Sequence, residues 1–315
     1  MRRVLLVVNP RARRAAARER EAVGAFADAG VGCEVRRTAR AGHAGELARA
    51  LALGGGYDAV FVLGGDGTAM DVVGALAGAG VPVGVLPAGT GNLVARTLGV
   101  PFGTGAAVAA LLAGDVARVD LGALRAAGGG PARPFAFAAG VGVDARMIEG
   151  TSAAWKRRLG WLAYAGTAAV AVLRRERFAA RVTVDGEELR AEATAVIVAN
   201  FGAVLGGLFH FGPGIREDDG RLDVCVFRPA SFAASAAAFL RLVRRDFRPH
   251  PALVYRSGAR IAVATDPPRP VQADGELLGR TPFAVEVLPG AAALLVPRGR
   301  GMREGRPVGL SAAAV

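Results

Sequence analysis

A chain of 315 residues with 52% hydrophobic content is long enough for two domains with their own cores and too apolar to be disordered throughout. Cys33 and Cys225 stand far apart with no Cys or His at metal spacing, which argues against a disulfide framework and a zinc site. The net charge of +12 favours anionic partners such as nucleotides or acidic lipid headgroups; with aromatics at 6% for base stacking, nucleic acid has only the charge in its favour and is not expected.

Val4–Val8 reads as a buried strand, ended by Asn9-Pro10 and followed by an Arg- and Ala-rich helix to about Ala29. Val31–Arg37, Gly42–Leu53, Tyr57–Leu63 and Thr68–Ala77 continue as strand, helix, strand and helix. Val83–Leu86 is a short strand before a helical stretch near Leu93–Leu98. The alternation predicts an α/β domain with a doubly wound parallel sheet. The uncharged stretch Val72–Ala95 is broken by Gly74, Gly78, Gly80, Pro82, Gly84 and Pro87, so it reads as buried strands and turns and not as a membrane span. Val4–Val8 is also too short for a secretory signal, and a cytoplasmic location is expected.

From about Phe135 the pattern changes. Apolar segments at Phe135–Val141, Arg181–Val184, Ala193–Ala199, Leu222–Phe227, Arg260–Ala264 and Phe283–Val287, with turn signals at Asp185-Gly186, Asp219-Gly220 and Asp274-Gly275, predict a mainly antiparallel, β-sandwich-like domain. Helices interrupt it near Ala153–Arg175 and Phe232–Arg245. The division expected is 1–124, 125–297 with its last strand returning to the first domain, and a mobile tail at 298–315.

Two turns carry the chemistry. Leu63-Gly64-Gly65-Asp66-Gly67-Thr68 lets the backbone approach an anion at a helix N-terminus, as phosphate loops do, although such turns also serve tight packing. Pro87-Ala88-Gly89-Thr90-Gly91-Asn92 is a second glycine-rich turn. In an open α/β sheet the turns after Val8, Leu63 and Leu86 share one crevice at the carboxyl ends of the strands.

Together with Val8-Asn9-Pro10, Gly140-Val141-Gly142-Val143-Asp144-Ala145, Asp219-Gly220-Arg221-Leu222-Asp223 and Asp274-Gly275-Glu276, these turns form an ordered set. The set resembles the diacylglycerol-kinase catalytic family of bacterial lipid kinases, which includes sphingosine-kinase-like enzymes. The resemblance spans almost the whole chain. It implies a nucleotide domain, a β-sandwich-like domain, and transfer of the ATP γ-phosphoryl group to a lipid hydroxyl, diacylglycerol or a related lipid alcohol, in the interdomain cleft. Asn9, Thr38, Gly65, Asp66, Gly67, Thr68 and Thr90 would surround ATP. Asp66 and Asp120 would join a network with Mg²⁺, because a cation reverses the repulsion between carboxylate and phosphate. Glu276 would be the catalytic base. A structural Mg²⁺ would bind Asp219 and the carbonyls of Arg216 and Arg221.

Bland readings stand beside these: Asp120 as a surface turn or cap, and Asp219-Gly220 and Asp274-Gly275-Glu276 as plain turns. The chain also departs from the family pattern. Met70-Asp71 replaces Asn-Glu, Leu93 replaces an Asp, and the first loop lacks Ser-Gly, which leaves Arg11 or Arg13 to meet phosphate or solvent. Trp155–Leu162 and Phe239–Arg248 mix basic and apolar residues, as helices do that touch an anionic membrane surface or that simply pack on the domain. The implied partners are a lipid substrate and a membrane surface in peripheral contact, with a homodimer left open. His43, His210 and His250 lack ligand spacing. The rival readings are an NAD kinase, which shares the Gly-Gly-Asp-Gly turn, and a non-catalytic lipid- or nucleotide-binding regulator.

Overall fold

The computed structural model describes residues 1–12, 15–89, 91–128, 130–142, 176–204, 209–274 and 276–299. Thr90, Arg13, Gly275, the Val143-Asp144-Ala145 part of one motif, the helix expected at Ala153–Arg175 with its Trp155–Leu162 stretch, and the tail beyond Gly299 lie outside the described residues.

The first lobe is the expected α/β alternation. Strands β1 (Arg3–Val8), β2 (Gly32–Arg37), β3 (Ala59–Gly64) and β4 (Val83–Pro87) pair in parallel in the order β2-β1-β3-β4. Val4–Val8 and Ala59–Gly64 are buried at every position, as strands covered on both faces must be. Helices α1 (Ala15–Asp28) and α5 (Thr104–Leu112) pack together, as do α2 (His43–Ala52) and α3 (Asp66–Ala75); α4 (Leu93–Thr97) follows β4. Phe26 of α1 meets Phe61 of β3 edge-on, ring centroids 4.8 Å apart, a geometry worth about 1 kcal/mol beyond area burial.

The second lobe is a sandwich. One layer holds β8 (Phe178–Val184), β9 (Glu187–Ala193), β15 (Arg260–Asp266), β18 (Phe283–Val296), β5 (Asp115–Ala126) and β6 (Arg133–Phe135). The other runs β14-β13-β10-β7-β16-β17, from Leu253–Gly258, Leu222–Phe227, Ala195–Ala199, Ala138–Val141, Pro270–Ala273 and Glu276–Arg280. Phe178, Val182, Ile261, Val263, Phe283 and Val285 of the first layer share a core with Val141, Val196, Val198, Leu222, Val224 and Val271 of the second. A two-stranded ribbon, β11 (Ala203–Val204) with β12 (Phe209–His210), lies beyond β10. Helix α6 (Phe232–Arg244) is capped by the Ser231 hydroxyl, which accepts from the Ala234 amide at 3.1 Å.

Strand β18 belongs to both lobes. Its first half runs between β15 and β5; its second half pairs with β5 and, at Leu294–Val83, in parallel with β4. Phe135–Val141, expected as one strand, is two, broken by a bend at Ala136-Phe137.

Candidate active site

The turns that follow β1, β3 and β4 meet at the carboxyl ends of those strands. The Asn9 amide N–H donates to the Leu63 carbonyl at 3.0 Å, its Oδ1 accepts from the Arg11 amide at 3.0 Å, and its Nδ2 donates to the Thr68 hydroxyl at 3.0 Å. Asn9 is thus locked between its own turn and the first turn of α3. Thr38 is set by its amide, which donates to the Val8 carbonyl at 2.9 Å.

The two glycine-rich turns touch backbone to backbone. A Cβ on Gly89 would lie 2.6 Å from the Gly65 Cα, so only glycine fits that crossing. The Ala88 amide donates to the Gly64 carbonyl at 3.0 Å, and Arg18 of α1 donates to the Pro87 carbonyl. Asn92, buried and left-handed at φ 48°, closes its turn by accepting from the Gly89 amide at 2.7 Å and donating to the Gly89 carbonyl at 2.8 Å.

Asn9, Thr38 and Thr68 line one hollow of about 160 Å³ with Arg11, Arg40 and Asp71. That volume suits phosphate groups and is below the range of a pocket for a whole nucleotide. Gly65, Asp66 and Gly67 lie at the start of the same helix. Asp66 turns one carboxylate oxygen to the Val94 amide, 3.0 Å away at the start of α4, and so ties the two glycine-rich turns together.

Glu276, the expected base, begins β17 in the second lobe. Its exposed carboxylate lies 3.7 Å from the Arg133 guanidinium. Its charge is felt in the first lobe: burial and then the Glu276 charge hold the Asp71 carboxyl above its usual range, against a donated Gly42 amide. Asp71, three residues after Thr68 on one helix face, was not singled out from sequence as a site residue; that spacing was the signal for it.

Asp120 is neither a surface turn nor a cap. It is 2% exposed on β5, and its carboxylate accepts from the Gly220 amide at 2.6 Å and the Gly290 amide at 2.7 Å. Its own amide donates to the Glu217 carbonyl at 2.6 Å. Asp66 and Asp120, expected in one network, therefore contact different partners. Asp120 stands beside the 216–221 loop, where burial above all, then the Asp120 charge, raise the Asp219 carboxyl, opposed by the Arg221 amide. The Arg216 and Arg221 side chains turn to Asp218 and Ser257, so metal binding there would fall to their carbonyls. Among the described residues no three His, Cys, Asp or Glu side chains are grouped to hold a metal.

Asp274, also not singled out, is the most constrained acid of the motif Asp274-Gly275-Glu276. Its carboxylate accepts from three successive amides, Ala136 at 2.7 Å, Phe137 at 2.9 Å and Ala138 at 3.1 Å. Burial pushes it up to about 6 against those donors, and the Asp66 charge adds to the rise. A larger hollow, about 260 Å³, opens on the outer face of the second lobe between Phe211, Ile215, Asp223, Cys225, Tyr255 and Ser257; no residue of the two glycine-rich turns lines it.

Comparison with known proteins agrees with this architecture. The family model of the diacylglycerol kinase catalytic domain matches residues 3–124, and that of the YegS C-terminal NAD kinase beta sandwich-like domain matches 138–296. An uncharacterized protein of Synechocystis sp. is 30% identical over 78% of this chain, which spans 56% of that relative's length. A Staphylococcus haemolyticus protein named "putative lipid kinase" is 30% identical over 76% of each chain. A crystal structure titled as a "putative diacylglycerol kinase" from Bacillus anthracis str. Sterne superposes with a TM-score of 0.77 at 26% identity, covering 94% of this chain and 97% of that one. With both domain models matched in order and the fold shared along nearly its full length, the chain belongs to the diacylglycerol kinase catalytic-domain family.

Proposed function

We propose that the protein is an ATP-dependent lipid kinase that transfers the γ-phosphoryl group to the hydroxyl of diacylglycerol or a related lipid alcohol. The observation that carries this reading is the meeting of Asn9, Thr38 and Thr68 around one phosphate-sized hollow, with Glu276 of the other lobe close enough to raise Asp71. In this reading the backbone of the glycine-rich turns, with Thr90, cradles the polyphosphate. Glu276 accepts the proton of the lipid hydroxyl as its oxygen attacks the γ-phosphorus and the bond to the β-phosphate oxygen breaks, leaving ADP and a phosphorylated lipid.

The oxygen donors fit Mg²⁺, a hard cation. Asp66 would hold one ion with the phosphates. Asp219, whose carboxyl is raised by burial first and then by the neighbouring Asp120 charge, would hold another with the Arg216 and Arg221 carbonyls. Bound there, Mg²⁺ supplies charge neutralisation.

The acceptor is proposed to come from an anionic membrane surface. Helix α6 supports this with Phe232 and Leu240 exposed at 45% and 44% and with Arg241 and Arg244 in its last turn. Among the described residues no helix is long and apolar enough to cross a membrane.

The test is transfer of label from γ-labelled ATP to diacylglycerol, phosphatidylglycerol, sphingosine and NAD in parallel. Labelled lipid is the expected result. Label on NAD alone would favour the NAD-kinase reading, and none from folded protein would favour a regulator.

A further inference from the structure

We propose that Asp274 is a positioning residue for Glu276: its carboxylate, gripping three successive amides where the chain crosses between the two sandwich layers against the core of the first lobe, fixes where the β16–β17 turn presents Glu276 to that lobe. The inference rests on reading Glu276 as the base.

The crossing is the bend at Ala136-Phe137, between β6 and β7. Asp274 takes the amides of 136, 137 and 138, and its own amide donates back to the Ala138 carbonyl at 2.9 Å. Asn200 grips the same bend through its carbonyls. Its Nδ2 donates to the Ala136 carbonyl at 2.9 Å and the Asp120 carbonyl at 2.7 Å, and its backbone amide to the Phe137 carbonyl at 2.8 Å. Ala136 and Phe137 are packed into the core of the first lobe, where Phe137 meets Phe201 with centroids 5.1 Å apart. The bend is thus part of the nucleotide lobe's frame, and Asp274 fastens the second lobe's turn to it.

Glu276 needs such an anchor. It begins β17, which among the described residues is an edge strand paired with β16 alone, and that pairing slips between Val271 and Gln272. Ala273 pairs with Glu276, so the turn between them is two residues long and Asp274 is one of them. Asp274 is left-handed, φ 47°, a conformation Asp tolerates when its side chain bonds nearby backbone. A carboxylate oriented by three amides is a stiff link, and a displacement of about 1 Å at a reacting group is enough to cost about a hundredfold in rate.

The experiment is a double-mutant cycle on the full chain in the lipid-kinase assay, with Asp274→Asn, Glu276→Gln and the pair. Asp274→Asn, which cannot accept from all three amides, is expected to lower kcat about 10- to 100-fold with KM for ATP within about twofold. Added to Glu276→Gln, it should cost nothing more. Asp274→Glu keeps the charge and moves the carboxylate; it serves if the Asn variant does not fold, and is expected to lower kcat about tenfold. Hydrogen exchange supplies a readout independent of turnover, the amides of 136–138 exchanging at least about tenfold faster in Asp274→Asn. Wild-type kcat in either variant, or full additivity with Glu276→Gln, would overturn the proposal while leaving the kinase reading intact. A wild type inactive on every lipid would overturn both.

Discussion

Where Gly89 crosses Gly65, one methyl group is already too much. Nothing flexible lies opposite to give way, since the atom 2.6 Å from the added Cβ is the Gly65 Cα itself. Gly89→Ala should therefore push the two turns apart and weaken ATP binding at least about tenfold, as nucleotide titration would measure; unchanged affinity would mean that the turns do not jointly hold phosphate. Glu276 makes the opposite kind of prediction. Its side chain is exposed and its recorded ion pair, with Arg133, is loose, so Glu276→Gln should leave the melting temperature unchanged while lowering kcat about 10²- to 10⁴-fold. A variant that keeps wild-type kcat would remove Glu276 as the base. Asn9 and Thr68 were legible because their turns follow strand ends, where topology gathers them; Thr38 entered through the family resemblance alone. Asp274 was legible only as a turn residue: its partners lie more than a hundred positions away in sequence, and no local spacing announces a three-amide grip.

Elements read well where periodicity was local and poorly where tertiary contacts set the bounds. The strand expected at Phe283–Val287 runs to Val296, because Pro289-Gly290 reads as a stop but is absorbed into a register shift between Leu288 and Ala292, with Gly290 at φ 57° and its amide held by Asp120. Helix α5 and strands β5 and β9 were not anticipated; β5 carries Asp115, Arg118, Asp120 and Arg125 at irregular spacing, which breaks the two-residue period, and β9 carries Glu187, Glu188, Arg190 and Glu192 on a half-exposed edge.

Helix α6 was legible from its pattern and ends in a small charge cluster. Asp246 accepts from Arg241 at 3.2 Å and from Arg248 at 2.9 Å, and the Arg248 hydrogen bond, more than any other influence, lowers its pKa to about 2. A carboxylate lowered on folding stabilises the native state above its ordinary value near 4 and loses that contribution as the pH falls from about 4 toward 2. Asp246→Asn should thus melt slightly below wild type at pH 7, with the gap closing toward pH 2 in thermal scans. A gap that persists at pH 2 would assign the loss to something other than charge.

At the scale of the molecule, the lobes share strands instead of meeting at a surface. Strand β18 gives Phe283, Val285 and Val287 to the core of the second lobe and Ala292, Leu294, Leu295 and Val296 to that of the first, and β5 follows it along both halves. Asp120 is buried at the middle of this seam, where it binds Gly290 of β18 and Gly220 of the acidic loop while Asn200 holds its carbonyl. Two routes to instability can be separated there. Asp120→Ala strands two amides that had a charged acceptor, at about 2–5 kcal/mol; Asp120→Asn can still accept from one of them and should cost about half as much. Because β18 cannot leave one core without disturbing the other, both variants should shift a single urea transition to lower concentration with its slope unchanged. Two resolved transitions would mean that the lobes fold independently, and the placement of Glu276 relative to the glycine-rich turns would then depend on the grip of Asp274 and Asn200 at the crossing and not on the shared sheet.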